Sequence, residues 1–327
     1  MRSLLLGFVV AALSLMQTGC GNGAATTFDI DSTTENFGQK VLYNNKVDIV
    51  MIVDNSTSMQ QHQTRLSQQM PNMVAALQAL RMDYHIVVIT TSVGSGGDGG
   101  VFRGSPSILS NATPNLTATL SERVLQGETG KDLERGLESL QTVLSPAYLT
   151  TDGAGFLRDD ALLAIVELSD EDDSSAVSAS TLATFLDKLK PAAQDGRKSW
   201  IFNFIGVLDN SSTCRTFNDY SSPGTKQMAL ADLAGGTKES ICSSNLTSAV
   251  SNIKARIVQI LTDFTLAEKP VVSTISVRVN GVQIPQGATN GWTYLLEGKR
   301  HLVRFHGTAV PPADADIRID YTPAEAR

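Results

Sequence analysis

Apolar positions recur in two different ways along this chain. Between residues 46 and 263, short and almost unbroken apolar runs alternate with segments whose apolar residues return every three or four positions. The runs cover 47–53, 84–90, 161–168 and 200–207, and the first three are nearly continuous. A strand reads this way when both of its faces are buried, as in a parallel sheet covered by helices. The helical-period sets are Leu66, Met70, Met73, Val74, Leu77 and Leu80; then Leu133, Leu137, Leu140 and Leu144; then Leu182, Phe185, Leu186 and Leu189; and finally Leu246, Val250, Ile253, Ile257, Ile260 and Leu261. All of these are expected in the core. The alternation predicts an α/β fold with a doubly wound, mostly parallel sheet.

Beyond residue 263 the period changes to two. Ile275, Val277 and Val279 alternate with polar residues, and Asn280-Gly281 then gives a strong hairpin signal. Short β-like runs at 292–294, 301–305 and 317–321 follow, with turns at Asn290-Gly291 and Pro311-Pro312. Residues 264–327 are therefore expected to form a small all-β module after an α/β domain at 46–263. Residues 20–45 are polar and read as a tether, with a lead-in strand near Lys40, Val41 and Leu42.

The first 19 residues are read as a targeting segment. Arg2 precedes an apolar stretch at 4–16, too short to span a bilayer comfortably as a helix. Gln17-Thr18-Gly19-Cys20 then resembles a bacterial lipoprotein signal, in which the cysteine takes lipid and becomes the first residue. Gln17 stands where Leu is usual, and an ordinary secretory signal with an incidental cysteine is the other reading. If Cys20 is lipidated, Cys214 and Cys242 remain as an even pair in an exported protein. A disulfide between them is expected, with two buried free thiols as the alternative. Gly21 is not the Asp that resembles an inner-membrane retention signal, which favours the outer membrane of a bacterial envelope. The net charge of −7 and the lack of any Lys/Arg run argue against nucleic acid as a partner.

The chemistry concentrates directly after the first apolar run. Asp54-Asn55-Ser56-Thr57-Ser58 fits Asp-x-Ser-x-Ser, one carboxylate and two hydroxyls on the loop leaving a strand. Open α/β sheets bind ligands at that edge. Hard oxygen donors suit Mg²⁺, Mn²⁺ or Ca²⁺. From Val47 to Met59 the segment resembles the opening of a von Willebrand factor A domain, where this loop belongs to a metal-ion-dependent adhesion site. The resemblance implies two further loops. Gly127-Glu128-Thr129-Gly130 matches the second, with Thr129 as a direct ligand just before a helix. Leu168-Ser169-Asp170-Glu171 matches the third, with Asp170 as the ligand; Glu171 stands where many members have Gly. By this resemblance Ser56, Ser58 and Thr129 touch a Mg²⁺ or Mn²⁺ directly, with Ca²⁺ a further candidate. Asp54 and Asp170 act directly or through water. An open coordination position would receive an acidic side chain of a protein partner.

Other acidic and flexible features have plainer readings. The run 170–173 is expected to cap helices or face solvent, with a second Ca²⁺ as the alternative. The Gly-rich stretch 94–100 is expected to be a mobile loop, or else a rim loop touching a partner. Thr129-Gly130-Lys131 lacks the first Gly and the hydroxyl residue of a phosphate loop. The four histidines have no zinc-protease spacing, and no nucleophile elbow is present. The function expected is therefore a metal-dependent protein-binding or adhesion module on a lipid-anchored envelope protein, and not an enzyme. A scaffold stiffened by metal is the alternative, and a metal-assisted hydrolase is a weaker one.

Overall fold

The computed structural model describes residues 37–41, 45–131, 133–215, 222–312 and 314–324. The chain enters on β1 (Phe37–Val41) and continues through β2 (Lys46–Val53), α1 (Gln60–Ser67), α2 (Met70–Ala79) and β3 (Asp83–Thr90). Next come β4 (Leu109–Ser110), α3 (Leu116–Arg123), α4 (Gly136–Val143), α5 (Pro146–Leu149) and β5 (Leu162–Ser169). Then follow α6 (Ala179–Leu189), β6 (Trp200–Gly206), α7 (Ser212–Arg215), α8 (Thr225–Ala234), β7 (Lys238–Ser240) and α9 (Thr247–Thr262). The last elements are strands: β8 (Asp263–Thr265), β9 (Ser276–Val279), β10 (Val282–Ile284), β11 (Gly291–Glu297), β12 (Arg300–His306) and β13 (Ile317–Tyr321).

The main sheet has the order β4-β3-β2-β5-β6-β7 and is parallel except for β4. The α/β class predicted from the alternation is the fold observed. Along β2, Val47, Ile49, Met51 and Val53 face a core built with α1, α2, α3 and α9. Val50 and Ile52 face a second core built with α4, α6 and α8. Both faces are dry, which is why the strands read as unbroken apolar runs. Strand order reverses between β2 and β5, so the loops leaving these two strands diverge around a crevice at their carboxyl ends. Asp48 interrupts the apolar run of β2 and is fully buried near its other end. Arg158 pairs with it at 2.7 Å.

Two helical patterns depart from expectation. The set Leu66 to Leu80 belongs to two helices, because Pro71 near the start of α2 lacks an N–H and its ring opposes continuation from α1. Leu133, expected in the core, is 65% exposed. The helix that should have contained it begins only at Gly136, which leaves Leu133 on a loop.

The strands after α9 form two small antiparallel sheets, β11-β12-β8 and β1-β13-β9-β10. They share one core that includes Phe264, Val277, Trp292, Phe305, Ile319 and Tyr321. Asn280 and Gly281 both adopt positive φ in the two-residue turn between β9 and β10, as a type I′ hairpin requires. The lead-in strand pairs with β13 in this module. Arg304 clasps Asp263 through two bonds of 2.6 and 2.8 Å, and Arg81 pairs with Asp314. Arg81 precedes β3, so the module lies at the amino ends of the main strands. The crevice lies at the opposite end.

Candidate metal centre

Asp54 follows β2 and is fully buried. Its backbone N–H donates to the Leu168 carbonyl at 3.0 Å, so the ladder between β2 and β5 continues into the loop. One carboxylate oxygen of Asp54 accepts the Ser56 N–H at 2.9 Å, and the other accepts the Ser169 hydroxyl at 2.7 Å. The hydroxyls of Ser56 and Ser58 lie 3.5 Å apart. Asp170 follows β5 and is buried, and the Ser58 hydroxyl faces it. Neither carboxylate oxygen of Asp170 accepts a hydrogen bond among the described residues. Four of the sequence candidates, Asp54, Ser56, Ser58 and Asp170, are therefore gathered at the switch point. Thr57 is exposed and Ser58 half-buried, so the group opens to solvent on that side.

The loop carrying Thr129 is fastened to the first loop by residues that carried no sequence signal. Gln63 on α1 donates to the Asp54 carbonyl at 2.8 Å and the Gly127 carbonyl at 2.9 Å, and accepts the Gly127 N–H at 3.0 Å. Gly130 donates to the Asn55 carbonyl at 2.8 Å. A Cβ on Gly130 would stand 2.5 Å from both Asn55 Oδ1 and Ser92 Oγ, so the close approach requires glycine. Thr129 itself is exposed on the rim.

The same packing gives the Gly-rich stretch a built conformation. Gly99 donates to the Ser92 carbonyl, and Asp98 accepts the Asn55 amide at 3.1 Å and the Thr90 hydroxyl at 2.7 Å. The acidic run divides its work. Asp172 accepts the Lys226 N–H at the start of α8, and Asp173 accepts the Leu137 N–H at the start of α4. These are helix caps, the plainer of the two readings.

Sequence reasoning missed Glu134 and Glu167. Both are buried, and neither accepts a hydrogen bond through either carboxylate oxygen among the described residues. Burial and the neighbouring Asp54 charge push Glu134 up to about 10, while burial raises Asp54 itself. Burial and the same Asp54 charge push Asp170 up to about 7. Burial, then the charges of Asp173 and Asp54, hold Glu167 well above the carboxylate range. Glu167 lies inside the run 161–168, whose burial on both faces the sequence signalled, whereas Glu134 carried no such signal.

Buried carboxylates must either keep their protons or meet a cation. Among the described residues, no three His, Cys, Asp or Glu side chains close on one point. The fit therefore depends on the serine hydroxyls together with Asp54 and Asp170. These are oxygen donors only, which suits Mg²⁺, Mn²⁺ or Ca²⁺ over softer ions. Cys214 and Cys242 form a disulfide with Cα atoms 4.8 Å apart. It closes the loop after β6 against the loop after β7, whose Ile241 and Ser243 carbonyls accept Arg65 of α1. Cys20 lies outside the described residues.

No family model and no curated protein matches the chain. Among solved structures it is similar to proximal thread matrix protein 1 from the mussel byssus, at 10% identity over 69% of this chain and 50% of that one, with a TM-score of 0.42. A structure of the same mussel protein with a zinc-occupied MIDAS motif gives 12% identity over 70% and 51%, with a TM-score of 0.38. The pilus adhesin SpaC from Lactobacillus rhamnosus GG, in an open conformation, gives 10% identity over 88% and 42%, with a TM-score of 0.41. The chain thus spans about half the length of these proteins or less. Its fold and its site stand on its own geometry.

Proposed function

We propose that this chain is a metal-dependent protein-binding or adhesion module. Asp54, Ser56, Ser58 and Asp170 hold a Mg²⁺ or Mn²⁺, and the second loop completes the site, as in the von Willebrand factor A domains that the sequence resembles. The observation that carries this reading is Asp170, a buried carboxylate with both oxygens unpartnered beside the two serine hydroxyls. A divalent ion there would polarise an incoming oxygen ligand. An acidic side chain of a protein partner is the occupant that charge favours.

A binding role is favoured over catalysis by where the acids sit. A hydrolase would place a general base in contact with water beside the metal, whereas Asp54, Glu134 and Asp170 are buried. In this reading the protein is held in a bacterial envelope by lipid on Cys20.

The test is capture of envelope proteins by the purified chain in Mg²⁺, in EDTA, and in EDTA followed by excess Mg²⁺. Capture should be lost in EDTA, return with Mg²⁺, and be absent in Ser56→Ala/Ser58→Ala. Capture that ignores EDTA would replace this reading with a scaffold role.

A further inference from the structure

Gln63 is a fully buried polar side chain on α1, and its amide is directed at the two loops beside the crevice. Nε2 donates to the Asp54 backbone carbonyl at 2.8 Å and to the Gly127 carbonyl at 2.9 Å, and Oε1 accepts the Gly127 N–H at 3.0 Å. Two carbonyls and one N–H thus converge on one side chain, and only an amide offers two donors and an acceptor together in that way. A glutamate would set a carboxylate oxygen against the carbonyls. An apolar side chain would leave all three backbone groups without this partner, away from water. The Asp54 N–H is held on its other side by the Leu168 carbonyl at 3.0 Å, so the first loop is fixed to the sheet and the second is fixed to it through Gln63. Beyond Gly127 the second loop is fastened again. Glu128 accepts the Gln60 N–H at 3.1 Å, Gly130 donates to the Asn55 carbonyl at 2.8 Å, and Lys131 donates to the Ser92 hydroxyl at 2.8 Å. Thr129 stands between these fastenings, exposed on the rim.

We infer that Gln63 is a positioning residue of the candidate metal centre: by tying Gly127 to Asp54 it sets where Thr129 stands relative to Asp54, Ser56 and Ser58. This rests on the metal-binding reading above. Gln63 does not touch the cation and acts through Thr129. With its three bonds made, the second loop is ordered before a cation arrives, and little ordering cost opposes uptake. Without them residues 127–129 gain conformations in the metal-free protein, and Thr129 must be ordered at the expense of affinity.

The experiment is calorimetric titration of Mn²⁺ into the full chain and into its Gln63→Met, Thr129→Ala and Gln63→Met/Thr129→Ala variants, with thermal melts in EDTA to establish that each is folded. Gln63→Met and Thr129→Ala should each bind about tenfold more weakly than the wild type. The double variant should match Thr129→Ala within about twofold, because a residue that acts through Thr129 then has nothing left to position. Should Gln63→Met fail to fold, Gln63→Asn keeps the amide one methylene short and takes its place in the same cycle. A lower melt in EDTA with unchanged affinity would assign Gln63 a structural role only and overturn the inference. Losses that multiply in the double variant, to about a hundredfold, would mean that Gln63 acts independently of Thr129 and also overturn it. So would wild-type affinity in Thr129→Ala. Each of these outcomes leaves the metal reading standing, whereas a wild type that takes up no Mn²⁺ overturns both.

Discussion

Asp170 combines burial with two idle acceptor atoms, and this has a consequence for stability. Its pKa is raised by burial and by Asp54 to about 7, and that of Glu134 to about 10. The folded protein therefore holds these protons more tightly than the unfolded chain does. As pH rises past the ordinary carboxylate range the unfolded chain loses its protons first, and the fold weakens until the folded groups ionise as well. Metal-free protein should be most stable, with respect to these groups, at about pH 4 and below, and should lose stability towards pH 8. Saturating Mg²⁺, which replaces protons as the counter-charge, should shrink that loss. Melts in EDTA at pH 5 and pH 8, repeated with Mg²⁺, check this; an EDTA melting temperature unchanged across the range would contradict it. At this scale the first loop was legible, because Asp54, Ser56 and Ser58 lie within five residues behind an apolar run. Gln63, Ser169 and Glu134 were not, because each acts across a distance in sequence that only the fold closes.

The elements were legible where periodicity alone defines them and less so where their ends depend on distant groups. All four predicted runs became strands of the main sheet. The start of α4 was misplaced, because its first N–H groups are not capped from within. They are capped by Asp173 and Ser175, 36 and 37 residues away. Gly136 opens that helix because Glu167 crowds it: a Cβ there would lie 2.4 Å from Glu167 Oε1. Gly→Ala in an open helix would stabilise by about 1 kcal/mol. Overpacking costs about 1–3 kcal/mol, so the crowding term should win. Gly136→Ala is expected to destabilise the protein by about 1 kcal/mol, read as a lower urea midpoint. A higher midpoint would mean that Glu167 moves aside without cost.

In the molecule as a whole, the β module sits at the amino ends of the strands and the candidate metal centre at their carboxyl ends. β2 runs from one towards the other, starting shortly after β1 leaves the module. That pairing of β1 with β13 was not legible, since a short polar lead-in carries no signal of which sheet it will join. The disulfide was legible from the cysteine count together with the expectation of export. Cys214 and Cys242 are separated by 28 positions. In the chain-entropy account, closing a loop of that size stabilises by about 3 kcal/mol. The Cys214→Ser/Cys242→Ser variant should unfold at a clearly lower denaturant concentration, by about that free energy. Because the bridge joins loops beside α1, its metal affinity should fall less than its stability. Equal denaturant midpoints for variant and wild type would contradict the stabilising role.

The proposed divalent ion sits in the crevice between β2 and β5, held by Asp54, Ser56, Ser58 and Asp170. Calorimetric titration of Mg²⁺ and Mn²⁺ into the purified chain and into Ser56→Ala/Ser58→Ala tests this most directly. Saturable uptake is expected for the wild type, with binding weaker by about tenfold or more in the double variant. No uptake by the wild type, or equal uptake by both, would contradict it.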